Sequence, residues 1–280
     1  MQFEFPWALG PEPGRYTIRE QLGEPPAHVL VIALLGAPQR RLLPRVRRSR
    51  AVDAPSEPSP EAVVTSRATL VDTVALDGYE AAAAWLADAA LDVLADDAVA
   101  RLNRVLHAHR IAAADPYARE VARAQALVVR AGFGDGERVA YGRWDRAREL
   151  PRPGPGALRP RTAALRPQER LAALLAARDV ALACEELTLR VRLDADAARW
   201  REAALGLRVA YEAALAELEP WREVAGLPQR LAQLREYRAA VGATANAALQ
   251  GGLDDAQIEL IRAVVARIEA ALRARTAGGV

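Results

Sequence analysis

The residues whose types could do chemistry in this sequence are few. They are His107 and His109 in HAHR, Cys184 beside Glu185 and Glu186, Asp194 and Asp196 in DAD, and the glycines of GFGDGE at 132–137. Each demands a particular geometry. Two imidazoles hold one zinc ion only when both reach the same point. On a helix, positions i and i+2 point about 200° apart, so helical spacing around His107 and His109 separates them. Their helical neighbours Asn103, Val105, Ile111 and Ala113 add no carboxylate, and no metal site is expected. Glu185 and Glu186 diverge from Cys184 and from each other, and a lone thiol in an apolar stripe reads as inert packing. Asp194 and Asp196 fall where two helices should join, which favours helix capping over cation binding. GFGDGE lacks the strand–glycine–helix context of a phosphate loop and reads as a turn.

Composition excludes more than the motifs include. The chain has 280 residues, 51% of them hydrophobic, with 38 basic against 36 acidic side chains, which is the balance of a globular protein. Lysine is absent, so every basic side chain is arginine. That removes lysine-dependent phosphate binding, Schiff-base catalysis and lysine-borne carrier groups. The serines are Ser49, Ser56, Ser59 and Ser66, with no G-x-S-x-G elbow around any of them, so a serine hydrolase is not expected. A single cysteine allows neither an internal disulfide nor a multi-cysteine metal site. No catalytic, cofactor-binding or metal-binding residues are assigned, and an enzyme is not the expected class.

Arginine is concentrated in two places. Arg40, Arg41, Arg45, Arg47, Arg48 and Arg50 crowd into RRLLPRVRRSR, and Arg152, Arg159, Arg161 and Arg166 occupy a Pro/Arg stretch. With a net charge of only +2, the remainder of the chain is acidic. An arginine arm of this kind binds polyanions by counterion release, without sequence preference. The run has no aromatic residue for base stacking, which weighs against a dedicated nucleic-acid domain. Lying against the protein's own acidic groups is the simpler fate of these side chains.

These segments punctuate the elements that must position everything else. Phe3, Phe5, Trp7 and Leu9 alternate with Gln2, Glu4, Pro6 and Ala8, predicting a half-buried strand, with Pro6 placing it at a sheet edge. GPEPG then turns it into RYTIRE as a hairpin. HVLVIALLG reads as a central strand and VVTSRATLVDTVAL as another. Residues 37–62 lack apolar periodicity and read as a disordered Arg/Pro/Ser loop. YEAAAAWLADA predicts a short helix, and Val99, Leu102, Leu106 and His109 a second from Asp96. Asp115-Pro116 predicts the start of a third. Asp135-Gly136 sits between two alternating stretches and predicts a hairpin.

After residue 166 all periodicity is helical. Leu171, Leu175, Leu182 and Leu189 give one stripe, and Trp200, Ala204, Leu207, Tyr211, Ala214 and Leu218 a second. Leu227, Leu231, Leu234, Val241 and Ala248 give a third, and Ile258, Ile261, Val265, Ile268 and Leu272 a fourth. The expected fold class is α+β: a small, mainly antiparallel N-terminal sheet with helices over 1–150, a linker at 151–166, and an antiparallel four-helix bundle over 167–276.

The expected function is a non-enzymatic interaction or assembly protein in the cytoplasm, with a protein partner or self-association through the bundle. Trp200, Tyr211, Trp221 and Tyr237 are the anchor candidates, because amphipathic rings dominate contact energies. Nucleic-acid association through the arginines at 40–50 is the alternative. The opening residues carry no signal-peptide pattern, and the longest apolar run, VLVIALLG, is too short to span a bilayer.

Overall fold

The protein was analysed as a computed structural model, which describes residues 1–20, 23–36, 63–151 and 167–278. The chain divides into two units, Met1–Gly154 and Pro155–Val280. The arginine-rich stretch, the loop reading at 37–62 and the linker arginines lie outside the described residues.

The first unit is built on a six-stranded antiparallel sheet. Its strands are β1 (Gln2–Phe5), β2 (Gly14–Ile18), β3 (His28–Leu35), β4 (Thr65–Asp72), β5 (Val128–Phe133) and β6 (Arg146–Glu149), in the order β2-β3-β4-β1-β5-β6. Strand β3, expected to be central, lies inside the sheet between β2 and β4, one place from its edge. The edge position expected for the first strand does not hold: β1 lies between β4 and β5. Pro6 falls one residue beyond the strand, so its missing N–H breaks no ladder bond. The first hairpin is accordingly β2–β3, with Tyr16 opposite Leu30.

Alternation assigns the two faces. Phe3, Phe5, Leu30, Ile32, Ala68 and Val129 form a buried core with two helices, α1 (Gly78–Asp88) and α2 (Leu91–Ala112). Helix α2 begins at Leu91, one turn before the expected start, and presents Leu91, Ala95, Val99, Leu102 and Leu106 inward at helical spacing. The opposite face carries Gln2, Glu4, Arg67, Thr69 and Arg130. Glu4 accepts hydrogen bonds from Arg67 Nε and Nη2 at 3.0 and 2.9 Å, and Gln2 donates to Thr69 at 3.1 Å.

Two sequence expectations change between 113 and 149. Asp115-Pro116 starts no helix. The Asp115 carboxylate accepts the N–H of Tyr117, and Asn103 on α2 grips Val121 through both its amide groups at 2.8 and 2.9 Å. Those local bonds hold the segment extended until a 3₁₀ turn at Arg123–Gln125. The second hairpin pairs as expected, β5 against β6, but its connection contains a short helix, α3 (Gly136–Ala140). Helix α3 lies against β4, and Arg15 of β2 reaches it through a two-pronged bond to Glu137 at 2.7 and 2.6 Å. Gly142 follows with φ +74°, where a Cβ would meet the Arg67 guanidinium at 2.8 Å.

The second unit is helical throughout its described residues: α4 (Pro167–Leu175), α5 (Ala183–Asp196), α6 (Trp200–Glu217), α7 (Leu227–Arg235), α8 (Arg238–Gln250) and α9 (Asp255–Gly278). The stripe through Leu171, Leu175, Leu182 and Leu189 is not one face. The helix breaks after Leu175, with Ala177 at φ 53°, and resumes at Ala183 in a new phase. The core side of α5 is Cys184, Thr188, Val191 and Ala195, while Leu171, Leu175 and Leu189 are exposed. The third stripe is split between α7 and α8, yet Leu227, Leu231, Leu234, Val241 and Ala248 are all buried. Helix α9 packs on α5, α6, α7 and α8, with Ile261, Val264, Val265 and Ile268 in the shared core. Among the described residues no helix is long and apolar enough to cross a membrane.

The junction of α4, α5 and α9 is ionic. Asp179 accepts from Arg170 at 3.2 Å and Arg275 at 2.8 Å, and Glu185 accepts from Arg170 at 2.7 Å and faces Arg275 at 3.6 Å. Arg275 is only 3% exposed and lies over the Trp221 ring at 4.5 Å. Burial alone would raise the Asp179 carboxyl. The Val180 N–H and the two guanidiniums outweigh it and hold the group below its ordinary value.

Candidate functional site

Among the described residues a half-open cleft lies in the first unit, at the end of the sheet where β4 and β5 finish. It encloses about 820 Å³ between α1, α2 and the loops after β4 and β5, within the rough 300–1,000 Å³ of ligand-binding clefts. Its walls are largely apolar. Tyr79 and Trp85 come from α1, Leu94 and Ala98 from α2, Phe133 from the end of β5 and Trp144 from the β5–β6 connection. The Tyr79 and Phe133 rings meet edge-on, 5.4 Å apart at 76°.

Local chemistry fixes the rim. Asp72 ends β4 and accepts the Val74 N–H at 2.9 Å, while Thr73 donates to the carbonyls of Pro26 and Ala27. These bonds turn the chain out of the sheet and toward α1. Gly132 lets Trp144 and β6 close over β5: a Cβ there would lie 2.6 Å from the Arg146 carbonyl and 2.7 Å from the Trp144 ring. The Trp144 Nε1 and Arg101 Nε are buried without a hydrogen-bond partner among the described residues, although Arg101 Nε faces Glu20 at 3.8 Å.

The ionisable lining groups are Asp72, Asp97, Asp145, Arg101, His28 and the Met1 amino group. Asp97 pairs with Arg101, and Asp145 faces Arg138 at 3.3 Å. Asp72 has no arginine partner among the described residues. The Met1 amine donates to the Leu70 carbonyl at 2.9 Å, and burial lowers its pKa to about 6 against a smaller opposing pull from Asp72. No serine or cysteine lines the cleft.

The residues singled out in the sequence sit elsewhere. His107 approaches Glu120 at 3.9 Å, and the His109 ring lies where a Cβ on Gly10 would meet it at 3.0 Å. The described residues contain no His/Cys/Asp/Glu group able to hold a metal. Cys184 is buried, and burial followed by the neighbouring Glu217 carboxylate pushes its thiol up to about 12, so at neutral pH it stays protonated and unreactive. Glu217 accepts the N–H groups of Ala183 and Cys184 at 3.3 and 2.9 Å, which caps α5 from a different helix. Asp194 and Asp196 do not cap the next helix. They end α5, where Asp194 pairs with Arg199 at 2.8 Å and Asp196 with Arg192 at 3.9 Å.

The four anchor aromatics divide. Tyr211 is 1% exposed and donates to the Leu234 carbonyl at 2.6 Å, so it belongs to the core. Trp200, Tyr237 and Trp221 are half-buried, and each lies under an arginine of α9: Arg262, Arg267 and Arg275, at 4.9, 4.8 and 4.5 Å. The polyanion candidates Arg40, Arg41, Arg45, Arg47, Arg48 and Arg50 lie outside the described residues. No family model, curated protein or solved structure matches this chain.

Proposed function

We propose that the chain is a non-enzymatic binding protein whose ligand enters the cleft of the first unit. The observation that carries this reading is the cavity itself, with four aromatic rings in its walls and no nucleophile paired with a base. Such a lining removes apolar surface from water and orients it through a few polar groups. A neutral solvatochromic naphthalene dye should bind saturably, near one per chain, with a blue-shifted emission. Gly136 lines the cleft, and a Cβ there meets no atom within 4 Å. Gly136→Trp should therefore occlude the cleft without a backbone clash and abolish that binding. Dye that partitions without saturation, or binds equally to both proteins, overturns the reading.

A second reading, assembly through the second unit, has its own support. We infer that α5, α6, α8 and α9 work as a four-helix bundle whose outer side self-associates. Leu189 and Leu193 on α5 and Leu205 and Val209 on α6 are exposed, at i, i+4 spacing on two packed helices. Exposed aliphatic side chains mark a contact surface when they join into one contiguous patch, which is the arrangement this reading requires of them. The expected result is a concentration-dependent dimer in sedimentation that becomes monomeric in Leu189→Glu/Val209→Glu. Identical sedimentation of the two proteins would remove this reading.

A further inference from the structure

The composition of the cleft also speaks to what fills it, given the binding reading above. We propose that it takes a small organic cation with an apolar body, an aryl- or alkylammonium, with its charged head at Asp72 and its body among Tyr79, Trp85, Phe133 and Trp144.

Three features support this. The lining holds three carboxylates, Asp72, Asp97 and Asp145, against one guanidinium, Arg101. Asp97 and Asp145 are already engaged by Arg101 and Arg138, whereas Asp72 is left with the Val74 N–H and no ion-pair partner among the described residues. The groups facing Asp72 do little to neutralise it. His28 is its register partner across β3 and β4 but makes no ion pair with it among the described residues, and the Met1 amine donates to the Leu70 carbonyl at 2.9 Å, with burial lowering its pKa to about 6. Finally, four ring systems offer π faces and edges around a half-open cleft, the setting in which an organic cation gains both cation–π attraction and burial of part of its body. An anionic ligand would face the same carboxylates and be repelled.

The test uses three ligands with one body and different heads: 2-naphthylmethylammonium, 2-naphthylmethanol and 2-naphthoate. Each is titrated calorimetrically into the full chain and then used to displace the neutral dye. The ammonium should bind about two- to fivefold tighter than the alcohol, as expected for one partly solvated charge pair, and the carboxylate should bind weakest. Asp72 is exposed and an asparagine can still accept the Val74 N–H, so Asp72→Asn should fold. Within that variant the ammonium should bind no tighter than the alcohol, so the ratio of the two affinities falls to about one. Equal binding of ammonium and alcohol, or tighter binding of the carboxylate, overturns the cation assignment and leaves the binding reading standing. Failure of the dye itself to bind overturns the binding reading first and the cation assignment with it.

Discussion

Replacing Arg275 with alanine should destabilise the second unit by about 3–5 kcal/mol, the usual cost of removing one partner from a buried ion network. The guanidinium reaches Asp179 at 2.8 Å and Glu185 at 3.6 Å while covering Trp221. Without it, two carboxylates share Arg170 alone, and a face of the indole opens to water. The Arg275 Nε is already unpaired among the described residues, so what the variant loses lies in the terminal nitrogens and the stacked plane. Arg275→Met keeps the apolar stem and should recover only the packing share. Hydrogen exchange resolves the effect by unit: amides of α5 and α9 should lose protection while those of β1 and β4 serve as an internal control. A loss below about 1 kcal/mol would place this cluster among ordinary surface pairs.

Acid gives an independent reading of the same network. The Asp179 carboxyl is held below its ordinary value of 3.8 in the folded chain. A depressed carboxylate pKa contributes stability that is fully present above the unfolded value and is lost as pH falls through the folded one. Protection of α9 should therefore fall on acidification below pH 3.8, and fall less in Arg275→Ala, where Asp179 has already lost one of its cations.

The parts of this fold legible in the sequence are those set by local periodicity. Phe3 and Phe5 alternate with Gln2 and Glu4, and the structure puts the two phenylalanines in the core. Ile261, Val265 and Ile268 keep helical spacing, and all three are buried. Pairing was less legible, because the partners of β1 come from residues 66–69 and 128–130. Pro6 suggested an edge only because the strand end, one residue earlier, cannot be seen in composition. The stripe from Leu171 to Leu189 misled for a related reason. Leucine at helical spacing marks a helix but not the phase change at Ala177, two residues before Asp179, which bonds both the nearby Arg170 and the distant Arg275.

The cleft was illegible for a deeper cause. Asp72, Tyr79, Ala98, Phe133 and Trp144 share no spacing. Antiparallel pairing and the packing of α1 and α2 bring them to one end of the sheet. An all-arginine complement hides its own assignments in the same way, since nothing local separates the buried Arg275 from the exposed Arg222.

Tyr211 shows how an aromatic residue in a seam can be weighed by experiment. Tyr211→Ala should cost about 3–5 kcal/mol of stability, the range for emptying a large buried ring site. Tyr211→Phe should cost about 0.5–1.5 kcal/mol, because the Leu234 carbonyl loses one of its two donors, keeping the Tyr237 N–H, while the ring volume stays filled. The carbonyl sits at the end of α7, where it accepts the Tyr237 N–H at 3.0 Å as well as the Tyr211 hydroxyl, so the tyrosine supplies a second donor that a phenylalanine could not. A docking anchor would behave in the opposite way, with folding nearly unchanged and association lost. Both variants can be followed by exchange protection of α6 and α7 alongside the sedimentation measurement. A folded, fully protected Tyr211→Ala chain would return the ring to the contact surface. The 1% exposure and the 2.6 Å bond predict instead that α6 and α7 lose protection together.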